Sequence, residues 1–237
     1  MAGEATLPAM PGIPGVNKGV AAKLAKIGLR SNEDLALHLP LRFEDETAIT
    51  PIAAALPGVS VQCEVTVVSC DITYRPRRQL VARVRDDSGV LVLRFLNFYP
   101  SQQKQLKAGA HLRVFGEVRG GFLGAEMVHP RCQRVDDNEP LPQTLTPVYP
   151  TTAGVGQGTM RRLVEKALKV ANLAETLPAA ILQKHKLAPF AESIQLLHQP
   201  PPAEFGESLD RVQQQAWQRV RFDELLAQQI SLRRAYI

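Results

Sequence analysis

The chain has 237 residues, 45% of them hydrophobic and 22% charged, and its 28 Lys and Arg against 23 Asp and Glu give a formal charge of +5. That composition excludes collagen, a disulfide scaffold and a mostly disordered chain, and it suffices for one or two domains. No apolar run reaches the ~18 residues of a membrane helix, MAGEATLPAM lacks the basic and apolar regions of a secretory signal, and Cys63, Cys70 and Cys132 form no C-x-x-C pair. A cytoplasmic chain with three structural thiols in a reducing compartment is expected, with no membrane contact.

Residues 1–50 read as a short helical unit. Val20, Leu24 and Ile27 share one face of a helix over Lys18–Ile27. Gly28 stops that helix, Ser31 caps the next with Asp34 in capping-box position, and the second helix runs over Asn32–Leu39 to Pro40. Residues 51–135 alternate apolar and polar with period two, the pattern of half-buried strands. Five strands are predicted: Val59–Cys70 running on to about Tyr74, Gln79–Arg85, Val90–Phe98, His111–Arg119 and Gly124–Val135. The second and third are joined by Asp86-Asp87-Ser88-Gly89, with the glycine expected to supply a positive φ, and the last two by Gly120-Gly121. A short helical turn over Ser101–Leu106 separates the third strand from the fourth. This order is that of the OB-fold, a small Greek-key barrel whose strand 2–3 face and first loop bind oligonucleotides.

Pro140, Pro142, Pro147 and Pro150 stiffen a linker over 136–150. Helical spacing then returns over Thr159–Asn172, Ala179–His185, Ala191–His198 and Ser208–Ile237. The last helix carries no stop signal, as in a chain that was cut within it. The predicted fold class is α+β: a five-stranded OB-fold barrel (51–135), an N-terminal helix-hairpin-helix-like unit (1–50), and a C-terminal helical region (151–237).

No catalytic constellation is legible. The glycine clusters at Gly12–Gly15 and Gly154–Gly158 lack the lysine of a phosphate-binding loop. The second precedes a helix and reads as a plain turn or a weak anion site. The five histidines are scattered and pair with no cysteine at ligand spacing. Glu44-Asp45-Glu46 reads as a solvated charge run, since adjacent acids point apart. No metal or cofactor is expected on this chain.

Binding is better supported, by three features. Ile13–Gly19 leads tightly into a helix, which offers backbone N–H groups to an anion with Lys18 and Lys23 nearby. A turn that merely packs two helices fits as well. Tyr74-Arg75-Pro76-Arg77-Arg78, continued by Arg83 and Arg85 on one face of the second strand, places five arginines and no acid within twelve residues. Such a loop suits nucleic-acid phosphates; a solvated edge that discourages strand pairing is the alternative. Phe95, Phe98 and Tyr99 crowd the end of the third strand, where aromatics beside a basic groove stack unpaired bases. Phe95, in step with Leu91 and Leu93, is the ring expected in the core.

PGIPGVNKGVAAKLAKIGL (11–29), DLALHLPLRFED (34–45), LRFLNFYP (93–100), TLTPVYPTTAGVGQGTMRRLVEKAL (144–168) and RVRFDELLAQQISLRRA (219–235) together resemble the N-terminal part of the RecG-type branched-DNA helicases. The resemblance implies the wedge-bearing portion of an ATP-dependent motor that remodels stalled forks and recombination junctions. The motor, with its ATP and Mg²⁺, would lie outside this chain. It implies branched DNA as partner, single-strand DNA-binding protein as a further one, a monomer, and a base-stacking role shared by Phe95, Phe98 and Tyr99. Two readings stand beside it: a free-standing OB-fold binder of single-stranded DNA or RNA, and a structural scaffold. Without the five arginines of residues 75–85, the remaining 23 basic residues balance the 23 acids.

Overall fold

The computed structural model describes residues 13, 16–74, 77–121, 124–135, 140–201 and 207–236. In chain order its first elements are α1 (Lys18–Ala25), α2 (Asn32–Ala36), β1 (Arg42–Glu44), β2 (Ser60–Thr73), β3 (Gln79–Arg85), β4 (Val90–Phe95) and α3 (Pro100–Gln105). There follow β5 (His111–Gly121), β6 (Gly124–Val128), β7 (Arg131–Arg134), β8 (Thr146–Val148), α4 (Gln157–Val170), α5 (Ala179–His185), α6 (Phe190–His198) and α7 (Glu207–Ala235). The chain divides into a strand unit, residues 44–145, and a helical unit, residues 1–43 with 146–237.

The strand unit forms because every second residue of its strands is apolar and can face one side. Cys63, Val65 and Val67 of β2, Leu80, Ala82 and Val84 of β3, and Leu91, Leu93 and Phe95 of β4 are all buried in one core with Leu112, Val114, Val118 and Met127. Burying each large apolar side chain contributes about 1.5–3 kcal/mol. The six-stranded sheet runs β2-β3-β4-β6-β5-β7, and β2 also pairs with β5. The β4–β6 pair is parallel and the rest are antiparallel. Strand β2 serves two neighbours: Ser60–Thr66 pairs with β5, Thr66–Thr73 with β3, and a register shift between Val67 and Ser69 lies near the change of partner.

Three local expectations are corrected. The single strand expected over Gly124–Val135 is two, so the sheet has six strands instead of five. The break falls at His129, which adopts φ +52, and at Pro130, which has no N–H to give a ladder. The chain resumes as β7 along β5. In the Asp86–Gly89 turn, Gly89 does not have a positive φ. Asp86 closes the turn by accepting from the Ser88 and Gly89 N–H groups, both at 2.8 Å. Space there is tight, because a Cβ at Gly89 would stand 3.2 Å from Ile52 Cγ2, which would have to shift by a few tenths of an ångström. Gly120 and Gly121, expected to join the last two strands, lie inside β5 and pair with Ala125 and Gly124 of β6.

In the helical unit, Gly28 at φ +86 ends α1, and the expected capping box opens α2, with Ser31 Oγ accepting from Asp34 N–H at 3.0 Å and Asp34 Oδ2 from Ser31 N–H at 2.9 Å. Residues from both ends of the sequence share one core: Ile13, Leu24, Leu29 and Leu35 pack with Tyr149, Val155, Met160, Leu163, Val164 and Ala167. The short strands β1 and β8, unexpected from the sequence, pair with each other. Arg219 of α7 is buried and makes a two-pronged ion pair with Glu175, both contacts at 2.7 Å, while donating to Ala188 O at 3.0 Å and Asp223 Oδ2 at 3.0 Å.

Candidate nucleic-acid interface

The face begins where β2 gives way to β3. Tyr74, Arg77 and Arg78 are exposed in the connecting loop; Arg75 and Pro76 lie outside the described residues. Strand β3 buries Leu80, Ala82 and Val84, so the intervening Arg83 and Arg85 are turned to solvent. No acid among the described residues forms an ion pair with either. Their neighbour across the β3–β4 ladder behaves differently. Arg94 stands opposite Val81, on the same side of the sheet, and is held by Glu126 Oε2 at 2.9 Å and Gln79 Oε1 at 3.1 Å. Within one patch, Arg94 is paired with Glu126, whereas Arg83 and Arg85 form no ion pair among the described residues.

The aromatic segment follows from how β4 ends. Phe95 is the last strand residue and is 2% exposed, its ring in the core as its step with Leu91 and Leu93 implies. A base has no open face of it to stack on. The stacking expected of three rings therefore narrows, as an expectation, to Phe98 and Tyr99. After Phe95 the chain leaves the ladder and is caught by His129, whose Nε2 accepts the Leu96 N–H at 3.2 Å while its ring meets Phe95 edge-on, centroids 6.0 Å apart. Phe98 is half-buried against the core, and Arg78 Cζ lies 4.4 Å over its ring. Tyr99 is 75% exposed. Its backbone is fixed all the same, since it caps α3, its N–H donates to Gln102 Oε1 at 2.9 Å, and Pro100 takes the first helical position.

Lys18 and Lys23 belong to the helical unit, and Arg77, Arg78, Arg83 and Arg85 to the strand unit. Pro14 and Gly15, the turn of the expected hairpin, lie outside the described residues. Asn17 is extended, with φ −68, and its side chain caps α1 by accepting the Val20 N–H at 2.8 Å. That uses one donor an anion would need. Lys18 is exposed, and Lys23 Nζ reaches the carbonyl of Gly154 at 3.4 Å.

Sequence reading missed Gln79, Arg94, Glu126 and His129 as supports of this face. Only His129 left a signal, as the break of alternation at Val128-His129-Pro130. Elsewhere, burial raises all three free thiols, Cys63 to about 11 and Cys132 to about 12. Glu44 and Glu46 pair with Arg131 at 3.2 and 2.7 Å. Among the described residues no group of three or more His, Cys, Asp or Glu could hold a metal ion, and no helix is long and apolar enough to cross a membrane.

The family model for the RecG wedge domain matches residues 13–171. The chain belongs to the RecG wedge family. It is 40% identical over 225 residues to the ATP-dependent DNA helicase RecG of Escherichia coli K12, covering 93% of this chain and 32% of that protein. Identity to RecG of Thermotoga maritima is 27% over 226 residues, covering 93% and 28% respectively. A solved structure of RecG bound to a three-way DNA junction superposes with a TM-score of 0.70 at 24% identity, covering 94% of this chain and 30% of that one, which establishes the shared mixed α and β fold. The chain spans about a third of the length of the curated relatives it matches.

Proposed function

We propose that this chain is the junction-binding wedge portion of an ATP-dependent branched-DNA helicase that serves recombination and repair through fork reversal and branch migration. The observation that carries the reading is the pairing, in a member of this family, of exposed arginines on β3 with an exposed tyrosine held rigidly at the start of α3. We read the strand unit as a five-stranded OB-fold barrel with β7 appended. Support comes from the β2-β3-β4-β6-β5 order, the parallel β4–β6 pair and the β2–β5 pairing.

In this reading the loop arginines, Arg75 among them, together with Arg83 and Arg85, hold phosphates and set position without reading sequence. Lys18 and Lys23 add charge from the helical unit. Tyr99, with Phe98 beside it, meets the first unpaired bases, a stack contributing about 1–3 kcal/mol and offsetting part of the unstacking cost. Recognition is then of junction shape. The likeness to helicases named ATP-dependent puts ATP and Mg²⁺ on motor domains and not on this portion, whose Gly154–Gly158 segment lacks the lysine of a phosphate-binding loop, and no step here runs through them. The same reading places the protein in the bacterial cytoplasm at the nucleoid, as a monomer with branched DNA as its ligand and single-strand DNA-binding protein as a partner.

The test is competition between a forked duplex and a single strand of equal length for this chain. Tighter binding to the fork is expected. Preference for the single strand would overturn the reading in favour of a free-standing OB-fold module.

A further inference from the structure

We propose that Arg78 is a positioning residue: its planar guanidinium, laid over Phe98, clamps the aromatic segment so that Tyr99 is the ring presented to a base. This rests on the reading of residues 95–99 as the base-stacking segment. Three observations carry it. The Phe98 ring has the core against it and Arg78 Cζ 4.4 Å over its centroid, so a base arriving at Phe98 meets the guanidinium. Tyr99, the next residue, is 75% exposed on a backbone held by Gln102 and Pro100. The other end of the segment is anchored independently, by His129 Nε2 on the Leu96 N–H and by Phe95 in the core. Residues 96–99 are thus a short bridge between two fixed points, and Arg78 holds the apolar ring that would otherwise be free to swing toward solvent. Arginine suits this task because its plane matches an aromatic face, which a lysine ammonium cannot do. The charge of Arg78 adds to the local potential, but the plane is what sets the segment.

The experiment uses the whole 237-residue chain and a forked duplex carrying 2-aminopurine at the branch point, whose fluorescence falls when it stacks on an aromatic ring. Wild-type chain is expected to quench the probe, and Tyr99→Ala to lose the quench. Arg78→Lys is expected to keep the salt dependence of fork binding yet lose most of the quench. Arg78→Ala and Phe98→Leu should each lose it too, and the double variant no more than either one, because both remove the same clamp. Full quenching by Arg78→Lys would overturn the proposal, since charge alone would then suffice. So would losses that add in the double variant. Absence of any quench by the wild-type chain on the fork would instead overturn the base-stacking reading itself, and this proposal with it.

Discussion

The two units use charge in opposite ways. In the helical unit two buried polar side chains are each held by several partners. Arg219 has Glu175, Asp223 and the Ala188 carbonyl, and His198 sits between the Tyr149 hydroxyl at 2.8 Å and the Ala36 carbonyl at 2.8 Å. In the strand unit, Arg83 and Arg85 stand in solvent and form no ion pair with an acid among the described residues. A buried charge without partners costs several kcal/mol, so the first arrangement is what a stable interior demands. An exposed arginine costs the fold almost nothing and needs no partner within it. Arg94 is the informative intermediate. It lies on the exposed patch but is tied to Glu126 and Gln79, as in the helical unit.

The comparison breaks first if residues assigned to structure prove dispensable. Phe95→Ala should destabilise the strand unit by about 3–5 kcal/mol, the usual cost of removing a buried aromatic ring. Urea unfolding followed by the coincidence of far-UV and near-UV signals measures it. Tyr99→Ala in the same assay should change stability by no more than about 0.5 kcal/mol, the scale of ordinary surface substitutions. Equal losses would mean that the exposed ring is also structural and that the division drawn between them is wrong.

Next in size is Arg219→Ala, which strands Glu175 and should cost about 3 kcal/mol in the helical unit. The Arg219 hydrogen bonds hold the Glu175 carboxyl down to about 2. A carboxyl lowered in the fold contributes stability that is whole above its unfolded value, near 4.5, and is lost as pH falls from there toward about 2. Thermal melts of the wild-type chain should fall across that window, and those of Arg219→Ala should fall less steeply.

How much of this was legible in advance depends on what each feature is made of. Period-two alternation located β2 through β5 and put Phe95 in the core, because a strand facing two environments must alternate. The Ser31–Asp34 capping box was readable because both partners are three residues apart. The Arg78–Phe98 contact joins residues twenty apart through the β3–β4 ladder, and Arg219–Glu175 joins residues forty-four apart, which no local pattern encodes. The same holds for Tyr149, His198 and Ala36. The five-strand expectation failed at His129-Pro130, where a short break of alternation and one proline were the only local marks of the left-handed φ that ends β6.

A smaller effect tests the helical unit from the other side. Desolvation lowers the His198 pKa below its ordinary value, with the Ala36 hydrogen bond opposing and His38 adding to the lowering. The unfolded histidine therefore takes up its proton at a higher pH than the folded one. Stability from this group is complete above the unfolded value near 6.5 and declines as pH falls below it. The slope is at most about 1.4 kcal/mol per pH unit. Melting curves between pH 7 and 5 should show the wild-type chain losing more stability than His198→Asn. Parallel declines would show that this histidine does not titrate differently in the fold.

The smallest effect on stability should come from the residues that matter most for binding. Arg83→Ala with Arg85→Ala removes two solvent-facing charges that no described acid pairs with, so the unfolding free energy should move by no more than about 0.5 kcal/mol. Fork binding should respond quite differently. If each arginine neutralises one phosphate, the slope of log K against log salt should become shallower by about 0.9 per residue, or about 1.8 for the pair. Arg94→Ala supplies the control within the same patch. Its charge is already spent on Glu126, so its loss should leave the slope nearly unchanged while costing stability through the stranded carboxylate. Should Arg94 and the Arg83–Arg85 pair shift the slope alike, the charge of this face would be acting as a diffuse field, and the distinction between paired and free arginines would carry no functional weight.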